Sequence, residues 1–288
     1  MPAHLGVVGF GAMGSEIALL GACAGLKVTA YDKFPEALET GRSRLTRLLK
    51  LLGRDAKFFA ADRIADDAAR QVVLDAMQTT SDLAELAGCD FVIEAAPELP
   101  ELKQSLLKEL GGIVSDDAVI ASNTSSIAIS ELAAATKNPG RVVGMHFFNP
   151  PTAMGLVEVI PGSATEEPTV VAAAALAQQL GKKPVRVKDT PGFVVNRVLL
   201  AMMTEAIRLA EEGVASVPDI DEAMKLGAGF PMGPFKLADL VGLDVIEHAC
   251  DSIYRGLNDP KFRPPELLRQ HVRDGHLGRK SRQGFYKY

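Results

Sequence analysis

Leu5-Gly6-Val7-Val8-Gly9-Phe10-Gly11-Ala12-Met13-Gly14 decides the fold of this 288-residue chain. The residues before Gly9 read as a buried strand, and Ile17, Leu19, Leu20 and Cys23 after Gly14 supply the apolar stripe of a helix. Lys27 to Tyr31 reads as a second strand ending at Asp32, about 20 residues beyond the glycines, the order of a dinucleotide-binding unit. Gly9 permits the tight turn, Gly11 lets the backbone approach a pyrophosphate, and Gly14 lets the helix pack close to the strand. Ala12 and Met13 complete the loop at the helix's amino end. Asp32 would accept bonds from adenosine ribose hydroxyls and repel a 2'-phosphate, so the expected cofactor is NAD. Lys33 is the one feature that favours NADP.

Outward from this unit, strands are predicted at Phe91 to Glu94, Ala118 to Ala121, Val142 to Met145 and Leu156 to Ile160, with helical stretches such as Leu102 to Leu110 between them. Such alternation predicts an α/β, Rossmann-type, doubly wound and mainly parallel sheet. A helix from about Pro168 to Leu180 and an edge strand at Pro184 to Val187 would close a dinucleotide-binding domain over residues 1–188. An all-helical domain is expected over 189–288. Thr190 would cap its first helix, Pro191 would start it and Gly213 would end it. Further helices are expected at Asp219 to Leu226 and Phe235 to Tyr254. The apolar residues Val194, Val198, Leu199, Met202 and Met203 exceed what a small helical unit buries, which predicts a homodimer through these helices.

An apolar content of 47% supports a sizeable core, and a net charge of −5 argues against a general nucleic-acid surface. Cys23, Cys89 and Cys250 are odd in number and widely spaced, which suits reduced thiols rather than disulfides or a zinc site. Met1-Pro2-Ala3-His4 runs straight into a strand, and no apolar segment reaches about 18 residues. The expectation is a soluble cytoplasmic protein with no metal and no membrane partner.

His146-Phe147-Phe148-Asn149-Pro150 places an imidazole where an apolar run ends, and Glu158 interrupts the apolar run Leu156-Val157-Glu158-Val159-Ile160. A carboxylate withdrawn from water needs a partner, and an imidazole oriented by it could remove a hydroxyl proton near neutral pH. His146 alone could equally be a structural histidine, and Glu158 a surface carboxylate. Ser122-Asn123-Thr124-Ser125-Ser126 lies at the same sheet edge, where helix capping competes with ligand contact as its purpose. Asn196 places an amide within the apolar Phe193 to Leu200, where an unpaired polar group costs about 1–3 kcal/mol. Arg42, Arg44, Arg47, Lys50, Arg54 and Lys57 form a basic run. Such a run is usually solvated surface, yet Lys50, Arg54 and Lys57 could hold a phosphorylated handle such as coenzyme A.

Together these residues resemble the L-3-hydroxyacyl-CoA dehydrogenase family over nearly the whole chain. The blocks that carry the resemblance are Gly9 to Gly14 with Asp32, Glu94-Ala95-Ala96-Pro97-Glu98, Ser122 to Ser126, His146 to Pro150, Val157-Glu158-Val159 and Asp189 to Arg197. Pro231 to Phe235, Val241-Gly242-Leu243-Asp244 and Gly284-Phe285-Tyr286-Lys287-Tyr288 complete them. The resemblance implies His146 as base, Glu158 as its orienting carboxylate, and Ser125 and Asn196 as hydrogen-bonding groups around the reacting oxygen. It implies that Glu98, Lys103, Asn149 and Lys280 line the nicotinamide side of an NAD site. It also implies an acyl-CoA substrate, such as 3-hydroxybutyryl-CoA. The chain departs at Leu99, where asparagine or aspartate is usual, and from Arg42 to Gln71, where coenzyme A contacts do not transfer by position. Competing readings are a 3-hydroxyacid or sugar-acid dehydrogenase on the same fold, and a non-catalytic dinucleotide-binding protein.

Overall fold

The computed structural model describes residues 2–53, 55 and 58–288, so Arg54 and Lys57 lie outside the described residues. Contacts divide the chain into two compact units, Met1–Asp189 and Thr190–Tyr288.

The first unit is built on β1 (His4–Val8), whose last four residues are fully buried, as a parallel strand covered on both faces requires. The glycine loop leads into α1 (Ala12–Cys23), followed by β2 (Lys27–Tyr31) and α2 (Pro35–Leu52). In α2, Pro35 takes the first turn, where its missing N–H is harmless, and Leu38, Gly41, Leu45 and Leu49 face the core. Next come α3 (Asp67–Asp75), capped by the Asp66 side chain on the Ala69 amide, and β3 (Met77–Thr80). The sheet continues with β4 (Phe91–Glu94), α4 (Pro100–Ile113), β5 (Val119–Ser122), α5 (Ile129–Ala134) and β6 (Val142–Phe147). It ends with β7 (Leu156–Pro161), α6 (Glu167–Gln179) and β8 (Lys183–Arg186).

The strand order is β3-β2-β1-β4-β5-β6-β7-β8. All neighbouring pairs run parallel except β6 and β7. The mainly parallel, doubly wound sheet is therefore as the periodicity indicates. Two details differ. Met77-Gln78-Thr79-Thr80 forms an edge strand that its polar composition conceals, and β6 runs two residues further than expected. His146 is thus a strand residue paired directly opposite Glu158, not a residue at a turn.

In the second unit, α7 (Val195–Glu211) and α8 (Val217–Ala228) are followed by α9 (Pro234–Val241), α10 (Leu243–Leu257) and α11 (Glu266–Arg273). Four expectations need correction. Thr190 and Pro191 do not start α7, because Gly192 (φ 74°) and Phe193 (φ 45°) adopt left-handed backbone that no α-helix accommodates. Asn196 therefore stands half-buried in the first turn of α7, so the desolvation argument for an amide inside an apolar helix does not apply. The single helix expected from Phe235 to Tyr254 is broken at Gly242 (φ 107°) into α9 and α10. Met203 belongs to this unit's core, with Leu200, Ile207, Phe235, Ile246 and Phe262. It is not a surface residue as the dimer expectation assumed, whereas Val194 and Val198 are exposed.

Two buried aspartates organise this unit. Asp221 on α8 accepts the Phe235 and Lys236 amides at the start of α9 and the Tyr286 hydroxyl. Asp239 on α9 accepts the Phe285 and Tyr286 amides, each at 2.9 Å, and the Tyr288 hydroxyl at 3.1 Å. A Cβ on Gly284 would lie 2.0 Å from an Asp239 oxygen, so the terminal Gly-Phe-Tyr motif is shaped by that carboxylate. Asp239→Ala leaves buried donors without an acceptor and is expected to lower unfolding free energy by about 3 kcal/mol. Chemical denaturation of the variant checks this, and a loss below about 1 kcal/mol would remove Asp239 from this role.

Candidate active site

The carboxyl ends of β1, β4, β5 and β6 meet at one edge of the sheet, with Val8, Glu94, Ser122 and Gly144 in lateral register. Ligands of open parallel sheets bind at such an edge. The glycine loop occupies it first. Gly9 (φ 90°) is held where a Cβ would come within 2.8 Å of the Ala95 carbonyl oxygen, and a Cβ on Gly14 would overlap the Gly9 carbonyl oxygen at 1.8 Å. Gly14 therefore lets the helix close on the loop itself rather than chiefly on the strand. A Cβ on Gly11, by contrast, meets nothing within 4 Å, which leaves room for a phosphate against the backbone.

Asp32 braces the loop as well as lining the cleft beside it. Its Oδ2 accepts the Phe10 amide at 2.8 Å and its Oδ1 accepts the Phe34 amide at 3.0 Å. Arg44 reaches across from α2 to the Gly11 and Ala12 carbonyls and the Ser15 hydroxyl. Arg42 similarly donates to Thr79 and, more weakly, to the Leu74 carbonyl. These two cations of the basic run serve the fold, while Arg47 and Lys50 remain exposed on α2. A cleft of about 450 Å³ runs along the loop, lined among others by Gly11, Met13, Asp32, Lys33, Pro97 and Leu102. Its mostly apolar lining, the open Gly11 and the single carboxylate of Asp32 fit a dinucleotide.

The catalytic candidates follow along the same edge. His146 and Glu158 lie opposite each other on β6 and β7, and Nδ1 of the imidazole is 2.7 Å from Glu158 Oε2. Both side chains are buried, Glu158 to 1% exposure. Phe148 packs on the imidazole with ring centroids 4.5 Å apart. Next to them the Phe147 amide donates to Asn123 Oδ1, which ties the end of β6 to the serine loop. The carboxylate fixes one tautomer: Nδ1 carries the proton, and the basic lone pair lies on Nε2.

The serine loop is not a helix cap. The cap of α5 comes from Asp189, which accepts the Ile129 and Ser130 amides and the Ser130 hydroxyl. The loop instead gathers on Glu98, whose Oε1 accepts from the Thr124 hydroxyl (2.6 Å), the Ser125 amide (2.8 Å) and the Ser126 amide (3.0 Å). The Ser125 and Ser126 hydroxyls point to the same oxygen at 3.3 and 3.0 Å.

Behind Glu98 lies a group that the sequence reading missed. Glu94, fully buried at the end of β4, accepts the Lys103 ammonium and the Ala96 amide at 2.7 Å and the Ser122 hydroxyl at 2.6 Å. Lys103 also donates to the Ala96 carbonyl and lies 3.4 Å from Glu98. It is therefore a buried bridge between two glutamates. The signal was available, since Glu94 ends an apolar strand in the way that drew attention to Glu158.

Asn149 is exposed in the β6–β7 loop, and its peptide bond to Pro150 is cis. Lys280, in the second unit, pairs with Asp244 beside Gly242. The three thiols are buried, and burial pushes each up to about 12, which excludes them as nucleophiles near neutral pH. Among the described residues, no helix is long and apolar enough to cross a membrane.

The family model of the 3-hydroxyacyl-CoA dehydrogenase NAD binding domain matches residues 4–190, and that of the 3-hydroxyacyl-CoA dehydrogenase C-terminal domain matches residues 192–288. The chain belongs to the 3-hydroxyacyl-CoA dehydrogenase family. It is accordingly an oxidoreductase with a nicotinamide dinucleotide cofactor. It is 47% identical to a probable 3-hydroxybutyryl-CoA dehydrogenase of Bacillus subtilis over 98% of this chain and 96% of that one. It is 44% identical to a probable 3-hydroxybutyryl-CoA dehydrogenase of Deinococcus radiodurans, over 98% and 99%. The crystal structure of an (S)-3-hydroxybutyryl-CoA dehydrogenase from Ralstonia eutropha superposes with a TM-score of 0.94 at 42% identity, covering 100% of this chain and 99% of that one.

Glu98 makes the serine loop sensitive to acid. Burial pushes its carboxyl up, but Lys103 and the Thr124, Ser125 and Ser126 donors outweigh burial and hold it below the ordinary glutamate range. A depressed folded-state value contributes stability that is present above the unfolded value and lost as pH falls through the folded one. Glu98→Gln is therefore expected to be less stable than wild type at neutral pH, with the gap narrowing as pH falls below the glutamate range. Thermal midpoints of both proteins across that range test it, and a constant gap would contradict the linkage.

Proposed function

We propose that the protein catalyses the reversible NAD-dependent oxidation of a short-chain (S)-3-hydroxyacyl-CoA, such as 3-hydroxybutyryl-CoA, to the 3-ketoacyl-CoA. The observation that carries this reading is the buried 2.7 Å bond from His146 to Glu158 at the sheet edge that also bears the glycine loop. The bound dinucleotide supplies the hydride acceptor in oxidation and the hydride donor in reduction. His146 Nε2 takes the hydroxyl proton of the substrate, and Glu158 stabilises the imidazolium that forms. Ser125, held by Glu98, would offer a hydrogen bond to the reacting oxygen and so orient C3, and the family resemblance gives Asn196 a like role. Gly9, Gly11, Ala12, Met13, Gly14 and Asp32 would hold the adenosine and pyrophosphate half, with Asp32 favouring NAD over NADP. Glu98, Lys103, Asn149 and Lys280 would define the nicotinamide side, Lys103 acting through Glu94 and Glu98 from beneath. Lys50, with Arg47 beside it on the exposed face of α2, would meet the phosphates of coenzyme A.

The decisive assay follows NADH absorbance with acetoacetyl-CoA, and then with NADPH and with acetoacetate lacking coenzyme A. Turnover with NADH and the thioester alone is expected. His146→Ala should reduce kcat by about 100-fold or more, and Glu158→Gln by at least about tenfold with NADH affinity within about twofold. Equal rates on free acetoacetate would replace the thioester reading with a 3-hydroxyacid one. Unchanged kcat in Glu158→Gln would remove the dyad from the mechanism.

We also propose a homodimer through the helical unit. Val198, Leu226, Leu240 and Val245 are each 50% or more exposed, more apolar surface than a lone helical unit usually leaves in water. Light scattering is expected to give twice the chain mass, and Leu226→Asp with Leu240→Asp to shift it to a monomer. A wild-type monomer at micromolar concentration would refute the assembly.

A further inference from the structure

Glu16 stands on α1, two residues beyond Gly14, and is 9% exposed. Its Oε2 accepts from the Thr152 hydroxyl at 2.7 Å and the Thr152 amide at 3.2 Å, across 136 residues of sequence. Thr152 lies in the β6–β7 loop, three residues beyond Asn149, and is equally buried. Two residues further on, the Met154 carbonyl accepts from the ammonium of Lys182 at 2.9 Å. Lys182, immediately before β8, is 7% exposed. The loop that follows the candidate base is therefore gripped by two buried, oppositely charged side chains, one from the pyrophosphate helix and one from the far edge of the sheet.

Stability alone is a weak reason for this arrangement. A buried charge is desolvated, and apolar packing of similar volume serves a fold as well or better. What buried, hydrogen-bonded charges do supply is one geometry in preference to others, because the alternatives strand them. The two charges also answer each other. Burial pushes the Lys182 ammonium down, Glu16 pushes it up, and the cation in turn offsets a carboxylate near a helix end that would receive phosphates.

We propose that Glu16 and Lys182 are positioning residues that clamp the β6–β7 loop onto α1, and so hold Asn149 where the nicotinamide half of the cofactor binds. The proposal rests on the reading of Asn149 as a nicotinamide-side residue. At its loop end the clamp is bonded through Thr152 to Glu16 and through Met154 to Lys182, rather than to Asp32 or the turn of the glycine loop. It should therefore govern the extra affinity that NADH has over ADP-ribose, which lacks the nicotinamide ring.

Calorimetric titration of the full-length protein with NADH and with ADP-ribose tests this without any acyl-CoA. Thr152→Val should weaken NADH by about tenfold while leaving ADP-ribose within about twofold, Thr152→Ser, which restores the hydroxyl, should recover NADH affinity, and Glu16→Ala should weaken NADH more than it weakens ADP-ribose. Equal losses for both ligands would make the network a merely structural one, and unchanged NADH affinity would remove it altogether; either overturns the proposal. Wild type that binds NADH no tighter than ADP-ribose would overturn the nicotinamide placement and the clamp with it. That result belongs to the wild type alone, so it is distinguishable from a failure of the variants. Thr152→Val preserves side-chain volume, so it reports even where Glu16→Ala fails to fold.

Discussion

The bond between His146 and Glu158 depends on a single reversal of strand direction. Six strands of the sheet run parallel up to β6, and β7 then returns antiparallel, which sets residue 146 directly across from residue 158. A slip of one residue would turn the carboxylate to the opposite face of the sheet. Packing guards the register. Gly144 sits where a Cβ would come within 2.9 Å of both Ile129 and Ile160, so β6, β7 and α5 approach closely just below the histidine. The orientation of the imidazole follows from that pairing.

A second theme is the use of carboxylates as acceptors for backbone amides. Asp32 takes the Phe10 amide, Glu98 those of Ser125 and Ser126, and Asp189 those of Ile129 and Ser130. In the helical unit Asp221 and Asp239 do the same. Each of these bonds is charge-assisted and satisfies an amide in a loop or in the first turn of a helix, where no backbone ladder pairs it. The loops of the site are thereby held by side chains whose own positions come from strands and helices, which is how irregular backbone can present reacting groups with little freedom.

Much of this was legible in the sequence because period and spacing are local. The glycine loop, Asp32 and the strands on either side are read from adjacent residues, and Glu158 betrays itself by interrupting an apolar run. Features that rest on distant partners left no such trace. Thr190 and Pro191 have the composition of a helix start, yet the helix begins at Val195 because two left-handed residues intervene. The serines from Ser122 to Ser126 look like a cap for α5, yet a carboxylate 60 residues away in sequence supplies the cap. Glu16 is unremarkable within α1 until Thr152 comes into view. β3 escaped notice because a short edge strand needs only one apolar face, and Gln78 and Thr79 disguise it.

Asp189 carries an implication for cutting the chain. It is the last residue of the first unit and at the same time the cap of α5, the helix that directly follows the serine loop. The physical border of that unit is therefore set by a side chain and not by the end of β8 at Arg186. A fragment ending at Lys188 would retain every strand and still lose the anchor of the segment that carries Ser125. Dissection, fusion or permutation of this protein should treat residue 189 as belonging to the sheet, with the first permissible junction after it.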